Sequence, residues 1–190
     1  GSVTVALYQF QSLGDVASFY KVEGAKCKKK WRKKKTIGIV VGERTNACGF
    51  RSSVVADSQD PGPDQEMAAS ANLAASTPKK LRGKIYLGIA VRESNTTAYE
   101  LRVIPAARKW QLIRDGRGNS APTVLGSGSG KFIRQGVGVR NNLLLRAFDF
   151  GSSAVTLLAK VNGKKVLAQK DTRAGTPNGR RNTLTIERPG

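Results

Sequence analysis

Histidine is absent from this 190-residue chain. That removes the commonest general base, the Ser-His and Cys-His nucleophile pairs, and every histidine-containing metal site. No apolar run reaches the roughly 18 residues that a membrane-spanning helix needs. Acidic residues are scarce: 13 Asp and Glu stand against 33 Lys and Arg, a formal charge of +20. An excess of that size favours polyanions such as nucleic acid, anionic polysaccharide, teichoic-type polymer or acidic lipid. Only two cysteines are present, Cys27 and Cys48, and neither belongs to a CxxC pair. Two thiols cannot build a cysteine-only zinc site. The expectation is a Cys27–Cys48 disulfide, which would close a loop of about 20 residues, contribute about 3 kcal/mol, and place the protein in an oxidising compartment. Two buried free thiols are the alternative. Gly1-Ser2 reads as a cloning scar, so a leader could once have preceded this sequence.

The dominant period is two, which indicates strands. Val3–Phe10, Thr36–Val41 and Ala47–Ala56 are apolar or β-branched. Lys84–Arg92 places Ile85, Leu87, Ile89 and Val91 on one face and Tyr86, Gly88, Ala90 and Arg92 on the other. Ala98–Ile104, Lys109–Arg114, Asn142–Phe150, Ala154–Val161, Lys164–Lys170 and Asn182–Glu187 continue the series. Met67–Ser76 is Ala-rich, yet its alternation and its strand neighbours favour a strand over a helix. Asn162-Gly163 is the strongest hairpin signal, Asp115-Gly116 is another, and the Gly/Ser run at 127–130 reads as a loop. About a dozen short strands with regular turns predict a single all-β domain spanning 1–190, an antiparallel sandwich or barrel.

Three segments carry candidate chemistry. Residues 26–35 (KCKKKWRKKK) hold eight basic side chains and no acid. The reading is a Lys-rich loop in which Lys26, Lys28, Lys29, Lys30, Arg32, Lys33, Lys34 and Lys35 attract polyanions. Trp31 would stack on a base or sugar ring. Nonspecific nucleic-acid binding follows from charge alone, whereas no helix-turn-helix, zinc-finger or ribonucleoprotein signature accompanies it. Asp57, Asp60, Asp64 and Glu66 crowd an Asp/Pro-rich loop at 57–65. Such oxygen-rich loops suit calcium, although the spacing is not that of an EF-hand and Asp-Pro is ordinary turn chemistry. Gly126–Lys131 (GSGSGK) fails the phosphate-loop pattern at Leu125 and Phe132 and is read as a hairpin loop.

The stretch from Lys84 to Asp171 resembles the concanavalin A-like lectin/glucanase sandwiches, nearest to the laminin-G-like and keto-disaccharide-hydrolase-like jelly rolls. The resemblance rests on Gly88–Arg92, Tyr99–Val103, Trp110–Arg114, Asn142-Leu143, Gly151, and Val155–Val161 running into Asn162-Gly163, with Val166 and Asp171 beyond. It implies a two-sheet antiparallel jelly roll, often secreted and often sugar-binding. The alternating acid motif of the glucanase members is missing here.

The fold so implied makes the concave sheet face the expected glycan platform, with Tyr86, Gly88, Ala90 and Arg92 offering an aromatic, room and a guanidinium. The expected function is a noncatalytic extracellular or cell-surface module for a carbohydrate or anionic polymer. An electrostatic adhesion or scaffold module on anionic surfaces is the second expectation. The third is a polysaccharide lyase or hydrolase using Lys, Tyr or Arg. No cofactor beyond calcium is expected.

Overall fold

The computed structural model describes residues 2–9, 19–23, 28–32, 36–42, 47–52, 63–116 and 121–187, with side chains placed for 63–116, 121–180 and 185. In chain order the strands are β1 (Ser2–Gln9), β2 (Phe19–Glu23), β3 (Lys28–Arg32), β4 (Thr36–Gly42), β5 (Ala47–Ser52), β6 (Gln65–Leu73) and β7 (Tyr86–Glu93). They continue as β8 (Ala98–Ile104), β9 (Lys109–Asp115), β10 (Thr123–Ser129), β11 (Asn141–Phe148), β12 (Val155–Val161), β13 (Lys164–Asp171) and β14 (Arg181–Glu187). One helical turn, α1 (Lys79–Arg82), links β6 to β7. No helix among the described residues is long and apolar enough to cross a membrane.

Among the described residues the strands form two seven-stranded sheets. Sheet 1 runs β13-β12-β11-β6-β1-β4-β3, and sheet 2 runs β10-β9-β8-β7-β14-β5-β2. Neighbouring strands pair antiparallel throughout, as β11 does with β6 and with β12. The architecture is a β-sandwich. Its core lies where the inward faces meet, and sequence alternation explains which residues reach it. Leu143, Leu145, Leu157, Ala159 and Val161 come from sheet 1; Leu87, Ile89, Val91, Leu101 and Leu112 come from sheet 2. All are at most 1% exposed. Each Leu, Ile or Val so buried stabilises the fold by about 1.5–3 kcal/mol.

Asn162-Gly163 makes the expected two-residue hairpin turn, with φ of 51° and 79°. Both values are positive, as a type I′ turn between twisted strands requires. Met67–Ser76 is a strand for most of its length, since β6 ends at Leu73.

Two local expectations are corrected. The Lys-rich segment is not wholly a loop: Lys28, Lys29, Lys30, Trp31 and Arg32 form β3, the edge strand paired with β4. Lysine on an edge strand blunts pairing with other chains, which gives the charge a place inside regular structure. Lys26, Lys33, Lys34 and Lys35 lie outside the described residues. The Gly/Ser run is likewise a strand, β10, at the edge of sheet 2. Its glycines alternate because Trp110 and Leu167 lie against them: a Cβ on Gly128 would sit 2.7 Å from Trp110 Nε1, and one on Gly126 2.5 Å from Leu167 Cδ1 and 3.3 Å from the same indole. The consecutive strands β4 and β5 are not neighbours. They lie in opposite sheets, β4 beside β1 and β5 beside β14, with Cys48 opposite Ile186. Cys27, the other half of the expected disulfide, lies outside the described residues.

Candidate functional site

The predicted sugar face does not stay open. Tyr86, Gly88 and Ala90 share the outward side of β7 as the alternation requires, but Gly88 and Ala90 are buried. The Arg102 guanidinium lies 4.1 Å over the Tyr86 ring, where a sugar would have stacked. Arg102 also donates from Nε and Nη2 to Gln111 Oε1 at 3.0 and 2.7 Å, and pairs with Glu100 at 3.5 Å. The outward side of sheet 2 thus carries its own packed polar layer. Sequence alternation gave room to Gly88, but Thr185 and the Leu101 carbonyl fill that room.

Arg92 leaves that face altogether. Its φ is +53°, and the pairing of β7 with β14 slips by one residue between Ala90 and Glu93. A bulge of this kind re-aims the side chain that carries it. The Arg92 N–H, displaced from the ladder, donates instead to Gln65 Oε1 of sheet 1 at 2.9 Å. The side chain, 1% exposed, turns to the end of the sandwich. There Nε donates to the Pro63 carbonyl (2.8 Å), Nη1 to the Pro177 carbonyl (3.0 Å), and Nη2 to Asp64 (3.0 Å) and Asp149 (2.7 Å). Every guanidinium nitrogen is committed.

A second cluster stands at the same end. The Asp171 carboxylate, 1% exposed, accepts from the Tyr99 hydroxyl at 2.8 Å and from Arg114 Nη1 at 3.3 Å. Burial, then the bond donated to Asp171, pushes the Tyr99 phenol far above its ordinary 10.0. Arg114 Nη2 donates to the Ala174 carbonyl at 2.6 Å and also to that of Gly175. The connection from β13 to β14 is therefore strapped across the sandwich end by two arginines, Arg114 at 174–175 and Arg92 at 177. Gly179 completes the fit, since a Cβ there would collide with the Glu93 carbonyl.

Between this strap and the β11–β12 turn lies a pocket of about 340 Å³, lined by Arg92, Asp149, Ser153, Thr172, Arg173 and Asn178 among others. That volume falls in the small-ligand range. Asp149 Oδ1 accepts from Gly151 N at 2.7 Å, and Oδ2 takes the Arg92 bond. Arg92 first, and the Gly151 N–H second, hold the Asp149 carboxyl below its ordinary 3.8. Between Asp149 and Gly151 sits Phe150, 78% exposed and held at φ +52°. A left-handed aromatic costs on the order of 1–3 kcal/mol, and such strain clusters at functional sites. Its ring makes an edge contact with Phe148 at 5.6 Å.

The expected calcium ligands are divided. Asp57 and Asp60 lie outside the described residues. Asp64 is engaged by Arg92 and by the Asp149 N–H, and Glu66 pairs with Arg146 at 2.5 Å on a strand face. Among the described residues no group of three acids, cysteines or histidines converges as a metal would need. Of the sequence-predicted site residues that are described, only Arg92 lines the pocket, with Asp64 bonded to it. Asp149, Phe150, Arg173 and Asn178 were missed. Asp149–Gly151 carried one usable signal, an Asp-x-Gly turn between two strands.

No protein-family model matches the sequence, and no curated protein matches it. Two solved structures share the fold. A carbohydrate binding module, CBM66 from Bacillus subtilis, superposes with a TM-score of 0.61 at 11% identity, covering 90% of this chain and 91% of the module. A conserved carbohydrate esterase from Shiga toxin-encoding bacteriophage phi24B does so with a TM-score of 0.50 at 10% identity, covering 97% of this chain and 90% of the esterase. Likeness at these identities is one of fold, a lectin-like β-sandwich.

Proposed function

We propose that this chain is a noncatalytic carbohydrate-binding module that receives a sugar in the pocket at the end of its sandwich. The carrying observation is the pocket itself: hydroxyl, amide and guanidinium groups on a strapped loop, beside a strained and exposed phenylalanine. Polyhydroxylated ligands need many convergent polar groups, which the lining supplies, and an apolar plate, a role we assign to Phe150, next in sequence to the lining Asp149. The fold shared with CBM66 supports the reading. The noncatalytic part of the reading is supported at Asp149, whose carboxyl Arg92 holds in its ionised form, which suits an orienting wall and not a proton donor. The concanavalin A-like jelly-roll assignment and an extracellular location belong to the same proposal.

A glycan array followed by calorimetry tests it. Phe150→Ala is expected to weaken the best array ligand by about five- to tenfold, the worth of one aromatic plate, without loss of stability. An array on which no glycan binds would remove the reading.

The basic edge strand β3 favours a second activity, nonspecific attraction of polyanions. Replacing Lys28, Lys29, Lys30, Lys33, Lys34 and Lys35 by Gln should abolish binding to dextran sulfate. Wild-type binding should fall linearly on a log–log plot against salt. Affinity indifferent to both changes would refute it.

A further inference from the structure

The pocket's uncommitted chemistry is one-sided. Its carboxylate, Asp149, already accepts a donor on each oxygen. Arg92, 1% exposed, spends four of its five N–H groups on two carboxylates and two carbonyls. What remains for a ligand is the Arg173 guanidinium, the Asn178 amide and the hydroxyls of Ser153, Thr172 and Thr176, all lining the same cavity. Arg173 is exposed, and its one bond is made by its backbone, whose N–H donates to Asp171 Oδ1 at 3.2 Å. That bond fixes the base of the side chain beside a buried carboxylate, and among the described residues the guanidinium has no partner. A guanidinium presents parallel N–H donors that match a carboxylate in two-point contact. Hydroxyls can either donate or accept, so the guanidinium decides the sign of the site.

Neutral sugars are mostly gripped by free acids and amides that accept from their hydroxyls. Here each oxygen of the acid already takes a donor, and the charged group left to a ligand is the Arg173 guanidinium, which only donates. We infer that the pocket selects a sugar bearing a carboxylate, a uronic acid, with Arg173 as its specificity-determining residue. The inference rests on the carbohydrate reading of the same pocket. The background charge of +20 adds long-range attraction for such a ligand.

The experiment uses small probes, because polymers would engage β3 as well. Methyl uronosides of glucose, galactose and mannose are titrated against the intact chain by calorimetry at about 0.15 M salt. Each is compared with its neutral methyl glycoside. At least one uronoside is expected to bind about tenfold tighter than its neutral partner, a charge-assisted pair discounted for exposure to water. Arg173→Gln should erase that difference, leave the neutral affinity unchanged and leave the thermal midpoint unmoved. Arg173→Lys should restore it only in part, since one ammonium cannot make the two-point contact. Lys28→Gln, Lys29→Gln and Lys30→Gln combined should keep it.

Equal binding of each uronoside and its neutral partner would overturn the inference, as would a preference that survives Arg173→Gln or the failure of all three uronosides. The carbohydrate reading stands or falls separately, on the array of neutral and acidic glycans.

Discussion

Replacing Arg92 by Met should lower unfolding stability by about 3–5 kcal/mol, the usual loss when one partner of a buried ion pair is removed. The side chain is buried to within 1%, and it joins both sheets to the strap through Asp64, Asp149, Pro63 and Pro177. Methionine fills much of the volume but satisfies none of the four oxygens. The side chains of Asp64 and Asp149 are 33% and 18% exposed, so water recovers part of the loss and the lower end of the range is expected. Chemical denaturation checks the magnitude; a loss below about 1 kcal/mol would mean that the pairs contribute no more than surface ones.

The same variant should change the acid limb. Asp149 in the folded protein titrates below its ordinary 3.8, so in acid the unfolded chain binds the proton first and stability rises with pH there. This contribution is complete above 3.8 and disappears as pH falls through the lowered value. Without Arg92, the largest cause of the shift, the stability profile should be flatter over that window.

Asp171→Ala is the second large effect, at about 3 kcal/mol. It leaves the Arg114 cation and the Tyr99 hydroxyl beside an empty position and removes the acceptor of the Arg173 N–H. Its signature should be local. Amide exchange should accelerate across residues 172–178, while the β11–β12 core keeps its protection. Glycan affinity should fall with the strap's order even where the folded fraction stays high. Unchanged exchange in the strap would show that Arg114 holds it through the carbonyls alone.

The inner faces were legible because alternation is a local signal: Val155, Leu157, Ala159 and Val161 point inward as their spacing requires. The Asn-Gly turn was legible for the same reason. Arg92 was not, because a bulge shifts the period by one residue without leaving a glycine to mark it. The Gly/Ser strand was misread since glycine usually signals a loop, and the causes of its spacing, Trp110 and Leu167, lie on other strands. The pocket is the least local feature. Its wall draws on the ends of β7, β11 and β13 and on a connection with no periodicity. The successive hairpins β11–β12–β13 place Asp149 and Arg173 at one end, but only the meeting of the two sheets brings Arg92 to Asp149.

The position of β14 has a consequence for how the chain is made. Arg181–Glu187 fits between β7 and β5, two strands synthesised far earlier. Until it leaves the ribosome, both flanks of that slot offer unpaired backbone. At roughly 5–20 residues per second, the interval between Glu93 and Arg181 lasts several seconds. Hydrophobic strands held open for that long invite pairing with other nascent chains, and sheets closed by distant partners fold slowly. Sheet 2 can therefore be completed only after Glu187 has been made, and chaperone demand should concentrate in the interval before it.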